Sequence, residues 1–593
     1  MELEEEIKLG VSKVLQSHEI ELPAQEVALQ PTRKEFAGAF TFVTFPYAGR
    51  LRKSPEAVGQ LLGEGLVKEV SGITGFNVVK GFLNLEINQS SWVDSFKAIL
   101  ADDNFGQCKA TGENIMVEYS SPNTNKPLHL GHLRNNFLGY SISEIMKLGG
   151  HKVIKTNLVN DRGIHICKSM LAYEKFGEGE TPKSSGLKGD HLIGKYYVRF
   201  DQEYRVEIKS LMSSGMEEEE AKKKAPLILE AQEMLKKWES GDEEVVSLWK
   251  TMNGWVYEGF DATYKMIGVD FDQYYYESET YLLGKDLVEE GLASGAFFKK
   301  DNGSVWCDLS EDGLDEKLVL RADGTSVYMT QDMGTADLKY KDYQLDRSIY
   351  VVGNEQDYHF QVLKLIMKKL GRPYGDGIYH LSYGMVDLPQ GKMKSREGTV
   401  VDADDLIQEM ITTAKDRTNE LGKIDGFTEE EANKLYRMLA LGALKYYILK
   451  VDPKKRMLFN PKESIDFQGD TGVFIQFTHA RIAAILRKAE ADGIKIGLDS
   501  TSIEINEFEQ NLIELLVSLP KKIQDAVTNY SPSVLAQYAY SLAKAYSRFY
   551  TETQIFGQDT PEDTQFRVAL THVVGRTIRQ VLGALGIESP TRM

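Results

Sequence analysis

The chain has 593 residues, enough for several domains, and its 42% hydrophobic and 27% charged residues are ordinary for a soluble globular protein. No apolar run is long enough to span a membrane, the acidic N-terminus is unlike a signal peptide, and three widely spaced cysteines exclude a disulfide framework, so we expect a cytoplasmic protein without a membrane partner. The net charge of −18 gives no reason, on composition alone, to expect a nucleic-acid partner.

Residues 1–110 are predicted to form a small α+β domain. Apolar residues at helical spacing predict helices at 3–16 and 54–67. Aromatic and β-branched residues predict strands at 36–45 and 76–87. No catalytic motif lies in this domain.

The segment that follows has the pattern of a strand, a polar turn and a helix. The strand is predicted at 114–119 and the helix at 133–148, and Pro122 and Pro127 lie in the turn between them. Open α/β sheets bind ligands at the carboxyl ends of their strands. A ligand is therefore expected at this turn.

Two histidines flank Gly131 where that helix begins. His129 and His132 are three residues apart and share one face of the helix. Free N–H groups and the helix dipole favour a phosphate at such a site, and the histidines can hydrogen-bond its oxygens as charge develops. The alternative is that both histidines only cap or cover the start of the helix.

Residues 111–404 are predicted to form a Rossmann-like, doubly wound parallel-sheet domain with a helical insertion at about 166–300. After a second strand at 153–158, the remaining elements of the sheet are predicted as strands at 318–330, 348–352 and 379–386 and a helix at 358–370. Within the insertion, opposite charges three and four residues apart at 216–225 indicate an exposed helix.

A cationic loop with glycine at both ends, Gly391-Lys-Met-Lys-Ser-Arg-Glu-Gly398, follows the last predicted strand. Such a loop suits a mobile segment that closes over a polyphosphate. The alternative is a solvent-exposed charged turn.

Residues 405–593 are predicted to form a helix bundle. Helical apolar spacing marks helices at 435–449, 472–490, 507–526, 532–550 and 565–585. Several aromatic residues are available to stack on RNA bases, although aromatic residues at this spacing usually belong to a core: Phe474, Phe477, Tyr530, Tyr546 and Tyr550.

These motifs together resemble a known family. His129-Leu-Gly-His132 resembles the HIGH motif of class I aminoacyl-tRNA synthetases, and Lys392-Met-Lys-Ser-Arg396 resembles their KMSKS loop. Further stretches resemble arginyl-tRNA synthetases in particular, in the order of that family: Glu118-Tyr-Ser-Ser-Pro-Asn123, Arg321 to Asp332, Val352-Gly-Asn-Glu-Gln-Asp-Tyr-His359, Ser464 to Gly472 and Pro590-Thr-Arg-Met593. The family commonly has Gly-Asp-Trp-Gly-x-Gln where this chain has Asn160 to His165, which leaves the roles of Arg162 and His165 open.

The resemblance implies ATP-dependent ligation of arginine to its tRNA through an arginyl-adenylate, with ATP and Mg²⁺ at the site. The catalytic residues that it implies are Lys126, His129, His132 and Lys392. Lys126 would supply the charge of the second KMSKS lysine, which this chain lacks. The ATP-binding residues that it implies are His129, Gly131, His132, Gly384, Met385, Val386, Lys392 and Ser395.

Selection of arginine requires a carboxylate opposite the guanidinium. The resemblance assigns this role to Asp332, and the arginine-binding set that it implies is Glu118, Asn123, Tyr328, Asp332 and Gln356. No protein-held metal is expected. The rival interpretation of Asp332 is a cap at the start of a helix.

Two other functions stay open on the sequence. One is a different class I aminoacyl-tRNA synthetase, although a glutamate site would need a cation where Asp332 stands. The other is an inactive paralogue that only binds tRNA, although such a protein is expected to lose His129, His132 or Lys392. The resemblance implies that the N-terminal domain contacts the tRNA and that the C-terminal bundle binds the anticodon. We expect a monomer.

Overall fold

The N-terminal part of the chain is a four-stranded antiparallel sheet covered by helices. The structure is a computed structural model that describes residues 3–33, 35–387, 401–422, 424–460, 464–466, 468–498, 503–558 and 560–593. The elements of this part are α1 (Leu3–Gln16), β1 (Leu29–Pro31), β2 (Phe40–Val43), α2 (Phe45–Leu51), α3 (Pro55–Glu69), β3 (Ile73–Val79), β4 (Phe82–Ile87) and α4 (Gln89–Ala101), and the sheet order is β1-β2-β4-β3. The predicted helices and the strands predicted at 76–87 are confirmed, but the strand predicted at 36–45 is limited to Phe40–Val43, because α2 already begins at Phe45.

The central part begins with the strand, turn and helix of the histidine segment. Its first elements are β5 (Asn114–Glu118), α5 (Leu130–Leu148) and β6 (Lys152–Val159). A run of helices follows before the chain returns to the sheet, and its members are α6 (Ile164–Phe176), α7 (Pro182–Ser185), α8 (Gly189–Ser213), α9 (Glu218–Lys224), α10 (Pro226–Glu239) and α11 (Glu243–Ile267). The exposed charged helix is α9, where Lys222 pairs with Glu218 and Glu219.

The chain then re-enters the sheet and adds a small antiparallel sheet beside it. The elements are β7 (Gln273–Tyr276), α12 (Glu277–Thr280), α13 (Lys285–Ser294), β8 (Phe298–Lys299), β9 (Val305–Cys307), β10 (Lys317–Leu320), α14 (Tyr328–Tyr343), β11 (Arg347–Gly353), α15 (Asp357–Lys369), β12 (Ile378–Tyr383) and β13 (Val386–Asp387). The main sheet has the order β12-β11-β5-β6-β7, with every pairing parallel. The predicted doubly wound α/β fold is confirmed, and the carboxyl ends of its strands lie at one edge.

One predicted strand is wrong over most of its length. Residues 318–330 form a strand only as far as Leu320, and α14 begins at Tyr328. The side chain of Thr330 accepts a hydrogen bond from the N–H of Val327 at 3.0 Å and also donates to the carbonyl of Val319. These bonds fix the start of a helix in a stretch whose Val, Tyr and Thr residues favour strands.

The C-terminal part is a helix bundle, as predicted. Its elements are α16 (Ala403–Glu420), α17 (Glu429–Leu449), β14 (Met457–Leu458), α18 (Gly472–Ala491), α19 (Glu507–Val517), α20 (Leu519–Asn529), α21 (Pro532–Glu552) and α22 (Pro561–Ala584). The single helix predicted at 507–526 is two helices, because Pro520 cannot donate within a helix and instead stands in the first turn of α20. Tyr546 belongs to the core, whereas Tyr550 is 44% exposed.

Helix α5 joins the sheet to the bundle. Its buried residues lie on all sides of the helix, and Ser141 donates a hydrogen bond to the carbonyl of Ala584 in α22 at 2.8 Å. A helix that is buried all round belongs to the interior of the molecule. None of the helices within the described residues is long and apolar enough to cross a membrane.

Close packing between α5 and β5 predicts a stability defect for Gly139→Ala. A Cβ at Gly139 would lie 2.2 Å from Cγ of Tyr119, whose hydroxyl is held by the carbonyl of Asp270 at 2.7 Å. We expect a cost of about 1–3 kcal/mol from overpacking, measured as a lower thermal unfolding midpoint. The matched control is Gly583→Ala in α22, where a Cβ meets no atom within 4 Å. An unchanged midpoint in Gly139→Ala would contradict the packing.

Candidate active site

The turn after β5 is held in a strained conformation by side chains from three elements. Ser120 and Ser121 have φ angles of 74° and 45°, which non-glycine residues rarely adopt. The N–H of Ser120 donates to Oδ1 of Asn135 at 2.5 Å, and that of Ser121 donates to Oδ1 of Asn157 at 3.1 Å. The Ser120 hydroxyl also hydrogen-bonds Tyr264 at 2.7 Å. Contacts from α5, β6 and α11 therefore determine the path of the chain into the histidine segment.

The two histidines cap the start of α5 and stack on each other. Nδ1 of His129 accepts the N–H of Gly131, and Nδ1 of His132 accepts the N–H of His129, both at 3.1 Å. The ring centroids are 3.9 Å apart. The capping alternative is thus correct for Nδ1, but it leaves Nε2 available. Since Nδ1 accepts in both rings, each neutral histidine carries its proton on Nε2, where it is a hydrogen-bond donor.

Both histidines are neutral at neutral pH. Burial, together with the positive charge of Lys126, lowers the pKa of His129 to about 4. Burial and the charges of His129 and Lys126 lower the pKa of His132 well below its ordinary value. Lys126 and His129 line one cavity, so a cation and two neutral donors lie at one helix start.

These depressed pKa values predict a loss of stability in mild acid. The unfolded chain titrates His129 near its ordinary pKa of 6.5 and the folded chain near a pKa of about 4. Between these values the unfolded state binds more protons, so stability falls as the pH decreases from 6.5 towards 4. Chemical denaturation across this range is expected to show a shallower fall in a His129→Asn, His132→Gln double variant. Parallel curves for the two proteins would contradict the assignment.

Gly131 and the segment 384–386 lie against this helix start. A Cβ at Gly131 would lie 2.9 Å from Cε1 of His129. Arg134 of α5 is buried and donates to the carbonyls of Met385, Pro453 and Lys455, at 3.4, 3.1 and 2.8 Å. Gly384, Met385 and Val386, which follow β12, are therefore tied to α5 beside the histidines.

The cationic loop falls outside the described residues, and with it the predictions for Lys392 and Ser395. The described chain resumes at Val401, whose carbonyl accepts the N–H of Leu130 at 3.1 Å. The N–H of Ala403 donates to the carbonyl of Leu128 at 3.0 Å, and Asp402 pairs with His129 as an isolated antiparallel bridge. Residues 401–403 thus lie alongside the histidine turn.

Asp332 lies in the first turns of α14 but does not cap the helix. The N-cap residue is Val327, so the rival interpretation of Asp332 as a helix-start cap is wrong. Oδ2 of Asp332 accepts a hydrogen bond from Nε2 of His359 at 2.5 Å, and its side chain is 37% exposed. Tyr328, one turn before it, is 76% exposed. A carboxylate with one oxygen held and one side open is suited to bind a cation.

Glu118, at the end of β5, already has a cationic partner. It is buried and forms an ion pair with Lys339 of α14, whose Nζ lies 4.9 Å from the ring centroid of Tyr350. Burial and the charges of Glu118 and Asp332 raise the pKa of the Tyr350 hydroxyl well above its ordinary value. The charges of Glu118 and Asp332 therefore both act on Tyr350, and Lys339 compensates the charge of Glu118.

Glu277 is an acidic residue that the sequence analysis missed. It follows β7 directly, and its pKa is raised to about 7, chiefly by burial and further by the charges of Asp161 and Asp332. No motif marks it in the sequence. Its place at the carboxyl end of a parallel strand is the signal that identifies it. The charge of Asp332 therefore acts on a second carboxyl group at this edge of the sheet.

Arg162 lies just after the end of β6, and its charge acts on Glu277. It forms an ion pair with Glu239 at 2.7 Å, and its guanidinium lies 3.8 Å from the ring centroid of Tyr281. Its charge lowers the pKa of Glu277 against the effect of burial. Arg162 thus links the end of β6 to helix α10.

Asn123 and Gln356 lie at the same edge of the sheet. Asn123 forms an isolated parallel bridge with Asn160, which follows β6. Gln356 is exposed in the short turn after β11. All five predicted arginine-binding residues lie at the ends of strands or helices at this edge. Of the five, only Glu118 and Asp332 have side chains that form hydrogen bonds to other described residues.

Comparisons with known proteins fit this geometry. Residues 95–460 match the family model described as tRNA synthetases class I (R), catalytic domain, and residues 475–593 match the DALR anticodon binding domain. The chain is 56% identical over 577 residues to an arginine–tRNA ligase of Amoebophilus asiaticus, which covers 97% of both chains. It is 55% identical to an arginine–tRNA ligase of Bacteroides thetaiotaomicron, over 97% of this chain and 96% of the relative.

The fold is also similar to that of solved arginyl-tRNA synthetases. The Thermus thermophilus structure has a TM-score of 0.81 at 23% identity and covers 99% of both chains. The Plasmodium falciparum structure has a TM-score of 0.76 at 19% identity, over 99% of this chain and 98% of that chain. The catalytic region thus has the class I fold. The chain belongs to the arginine–tRNA ligase family.

Proposed function

We propose that this protein is an ATP-dependent arginine–tRNA ligase that works through an arginyl-adenylate. The observation that carries the proposal is the pairing of two sites at one edge of the sheet. One is a helix start with two neutral imidazole donors and Lys126, and the other is an acidic pocket with Asp332 and Glu277. The first suits phosphates and the second suits a guanidinium.

In the proposed first step, the arginine carboxylate attacks the α-phosphorus of ATP and pyrophosphate leaves. No covalent bond to the protein is needed, so catalysis depends on positioning and on stabilisation of the developing charge. His129 and His132 donate their Nε2–H groups to phosphate oxygens, and Lys126 supplies positive charge. Lys392 and Ser395 are proposed to assist from the cationic loop, and Gly131, Gly384, Met385 and Val386 to line the nucleotide.

Arginine is proposed to bind with its guanidinium between Asp332 and Glu277 and with Tyr328 beside it. Because Lys339 already compensates Glu118, the guanidinium is balanced by Asp332 and by Glu277, whose pKa of about 7 allows it to ionise when the cation binds. Glu118, Asn123 and Gln356 hold the α-amino and carboxylate ends. In the second step, a ribose hydroxyl of the terminal adenosine of the tRNA attacks the adenylate and AMP leaves.

Mg²⁺ is proposed to arrive with ATP. Asp402, the carboxylate beside His129, already accepts the N–H groups of Asp404 and Asp405 and lies 3.2 Å from Nε2 of His191. Because Asp402 already has these partners, we propose that phosphate oxygens and water hold the ion, which is the usual state of Mg²⁺ at nucleotide sites. The bound ion would neutralise charge on the leaving pyrophosphate.

The domain organisation and cellular setting are part of the proposal. The boundaries proposed are 1–110, 111–404 and 405–593; the first falls in the gap between α4 and β5, and the second falls in the first turn of α16. The insertion predicted at about 166–300 is too long, because β7 (Gln273–Tyr276) pairs with β6 and already belongs to the main sheet. The three cysteines are free thiols, which suits a reducing cytoplasm. A monomer is proposed, and light scattering at working concentration tests it.

The experiment that tests the function is amino-acid-dependent exchange of pyrophosphate into ATP, run with each standard amino acid and with or without bulk tRNA. Exchange with arginine alone, followed by transfer to tRNA, is expected. Exchange with another amino acid would overturn the pocket assignment and favour another class I enzyme. No exchange by folded protein under any condition would favour a paralogue that only binds tRNA.

A further inference from the structure

An ionic network lies between the helical insertion and the histidine turn, outside the groups to which chemistry has been assigned. Its members are Lys188, Asp190 and His191 at the start of α8, Thr263 of α11, and Asp402 and Asp404 at the start of α16. It therefore connects two insertion helices to the segment that pairs with His129.

Each contact in the network is specific. Lys188 forms an ion pair with Asp404, lies 3.2 Å from Oδ2 of Asp190, and donates to Oγ1 of Thr263 at 2.6 Å. Thr263 in turn donates to the other oxygen of Asp404 at 2.9 Å. Nε2 of His191 lies 3.2 Å from Asp402 and 3.5 Å from Asp404.

The network is a set of ion pairs in which Oδ2 of Asp190 and Nε2 of His191 are close to opposite charges but make no hydrogen bond within the described residues. His191, Asp402 and Asp404 have the spacing of metal ligands, but the ammonium of Lys188 already stands against Asp404 and Asp190. The nearby carboxylates of Asp402 and Asp404 raise the pKa of His191 to about 10, so it is a second cation. Two cations therefore face three carboxylates, one of which, Asp190, is fully buried.

The network reaches the reaction centre through backbone as well as through charge. Asp402 is the bridge partner of His129, and the flanking backbone bonds join Leu130 to Val401 and Ala403 to Leu128 at 3.1 and 3.0 Å. The position of His129 thus depends on where residues 401–403 lie. That position is fixed from the other side by Lys188 and His191.

We propose that Lys188 and His191 are positioning residues for arginine activation, which hold Asp402 and Asp404 so that His129 is correctly placed for the phosphates. The inference rests on the proposed function, because it explains how His129, one of the phosphate donors in that function, is held in position. His191 also lines the cavity that Lys126 and His129 line, whereas Lys188 does not. Their effect passes through residues 401–404 to the imidazole of His129.

Lys188→Met tests the proposal, with kcat and KM measured in arginine-dependent pyrophosphate exchange well below the unfolding midpoint. A loss of about tenfold or more in kcat is expected from a misplaced donor, with KM for arginine changed less than twofold. His191→Gln is expected to act in the same direction. The matched control is Arg205→Met on the same helix, which removes an exposed ion pair to Asp201 and should leave kcat unchanged.

The same substitution made in a His129→Asn protein distinguishes a positioning role of Lys188 from a general structural defect. In His129→Asn, the donor that Lys188 is proposed to position is absent, so adding Lys188→Met should lower kcat no further. An equal loss in both backgrounds would overturn the inference, because it would show an effect independent of His129. An unchanged kcat in the single variant would also overturn it. Absence of arginine-dependent exchange in the unaltered protein would instead overturn the proposed function, and the inference with it.

Discussion

Asp332→Ala is expected to lower kcat/KM for arginine by about 30-fold to several thousand-fold. Loss of one partner from a hydrogen-bonded charge pair costs about 2–5 kcal/mol, at about 1.4 kcal/mol for each factor of ten. His359 fixes one oxygen of Asp332 at 2.5 Å, so the carboxylate is oriented before the ligand arrives. The measurement is arginine-dependent pyrophosphate exchange with arginine and ATP varied separately.

The loss is expected in kcat/KM for arginine, while KM for ATP stays close to that of the unaltered protein. Asp342→Asn is the matched control, because Asp342 lies on the same helix and its carboxylate accepts a hydrogen bond from Tyr275 at 2.8 Å and not from His359. Retained use of arginine by a folded Asp332→Ala protein would remove Asp332 from the site and leave Glu277 as the acid to test.

The second large effect is expected from His129→Asn and from His132→Gln, each made alone. Removal of one donor aimed at developing charge costs about 100- to 1,000-fold in kcat. Asn is a strong N-cap residue and can accept the N–H of Gly131 as His129 does. Gln at the third position of a helix can accept the N–H of the cap residue as His132 does. Each change therefore keeps the cap and removes the Nε2–H donor.

The readout is kcat for pyrophosphate exchange, together with the thermal unfolding midpoint. A large fall in kcat with a midpoint close to that of the unaltered protein would separate the catalytic role from the capping role. His129→Ala, which removes both cap and donor, is expected to lower both quantities. Activity close to normal in His129→Asn and His132→Gln would mean that the histidines serve only to start α5.

The sequence was sufficient to predict the parts of the site that lie within one segment of the chain. His129 and His132 flank a helix start, and that local pattern already predicts phosphate binding. The tautomer was not predictable, because it depends on which backbone N–H groups reach Nδ1. The strand predicted at 318–330 failed for the same kind of reason, since the bonds of Thr330 to Val327 and Val319 override the local preference for a strand.

Parts of the site that depend on the order of the strands in the sheet could not be predicted from the sequence. Glu277 reaches the neighbourhood of Asp332 because β7 pairs with β6 and directs its carboxyl end to the shared edge. Lys339 compensates Glu118 only because α14 passes over β5. Such pairs are far apart along the chain, and no spacing rule connects them.

Helix α5 also limits how far the enzyme can be divided into modules. It begins at Leu130, after the N-cap His129, and its side chains are buried between the parallel sheet and the helices of the C-terminal bundle. Arg134 ties it to the carbonyls of Pro453 and Lys455, and Ser141 ties it to the end of α22. A shortened chain that ends before the bundle would expose this helix to water and free its polar anchors. Exchange of the C-terminal domain for one from a distant relative would therefore require α5 to be redesigned with it.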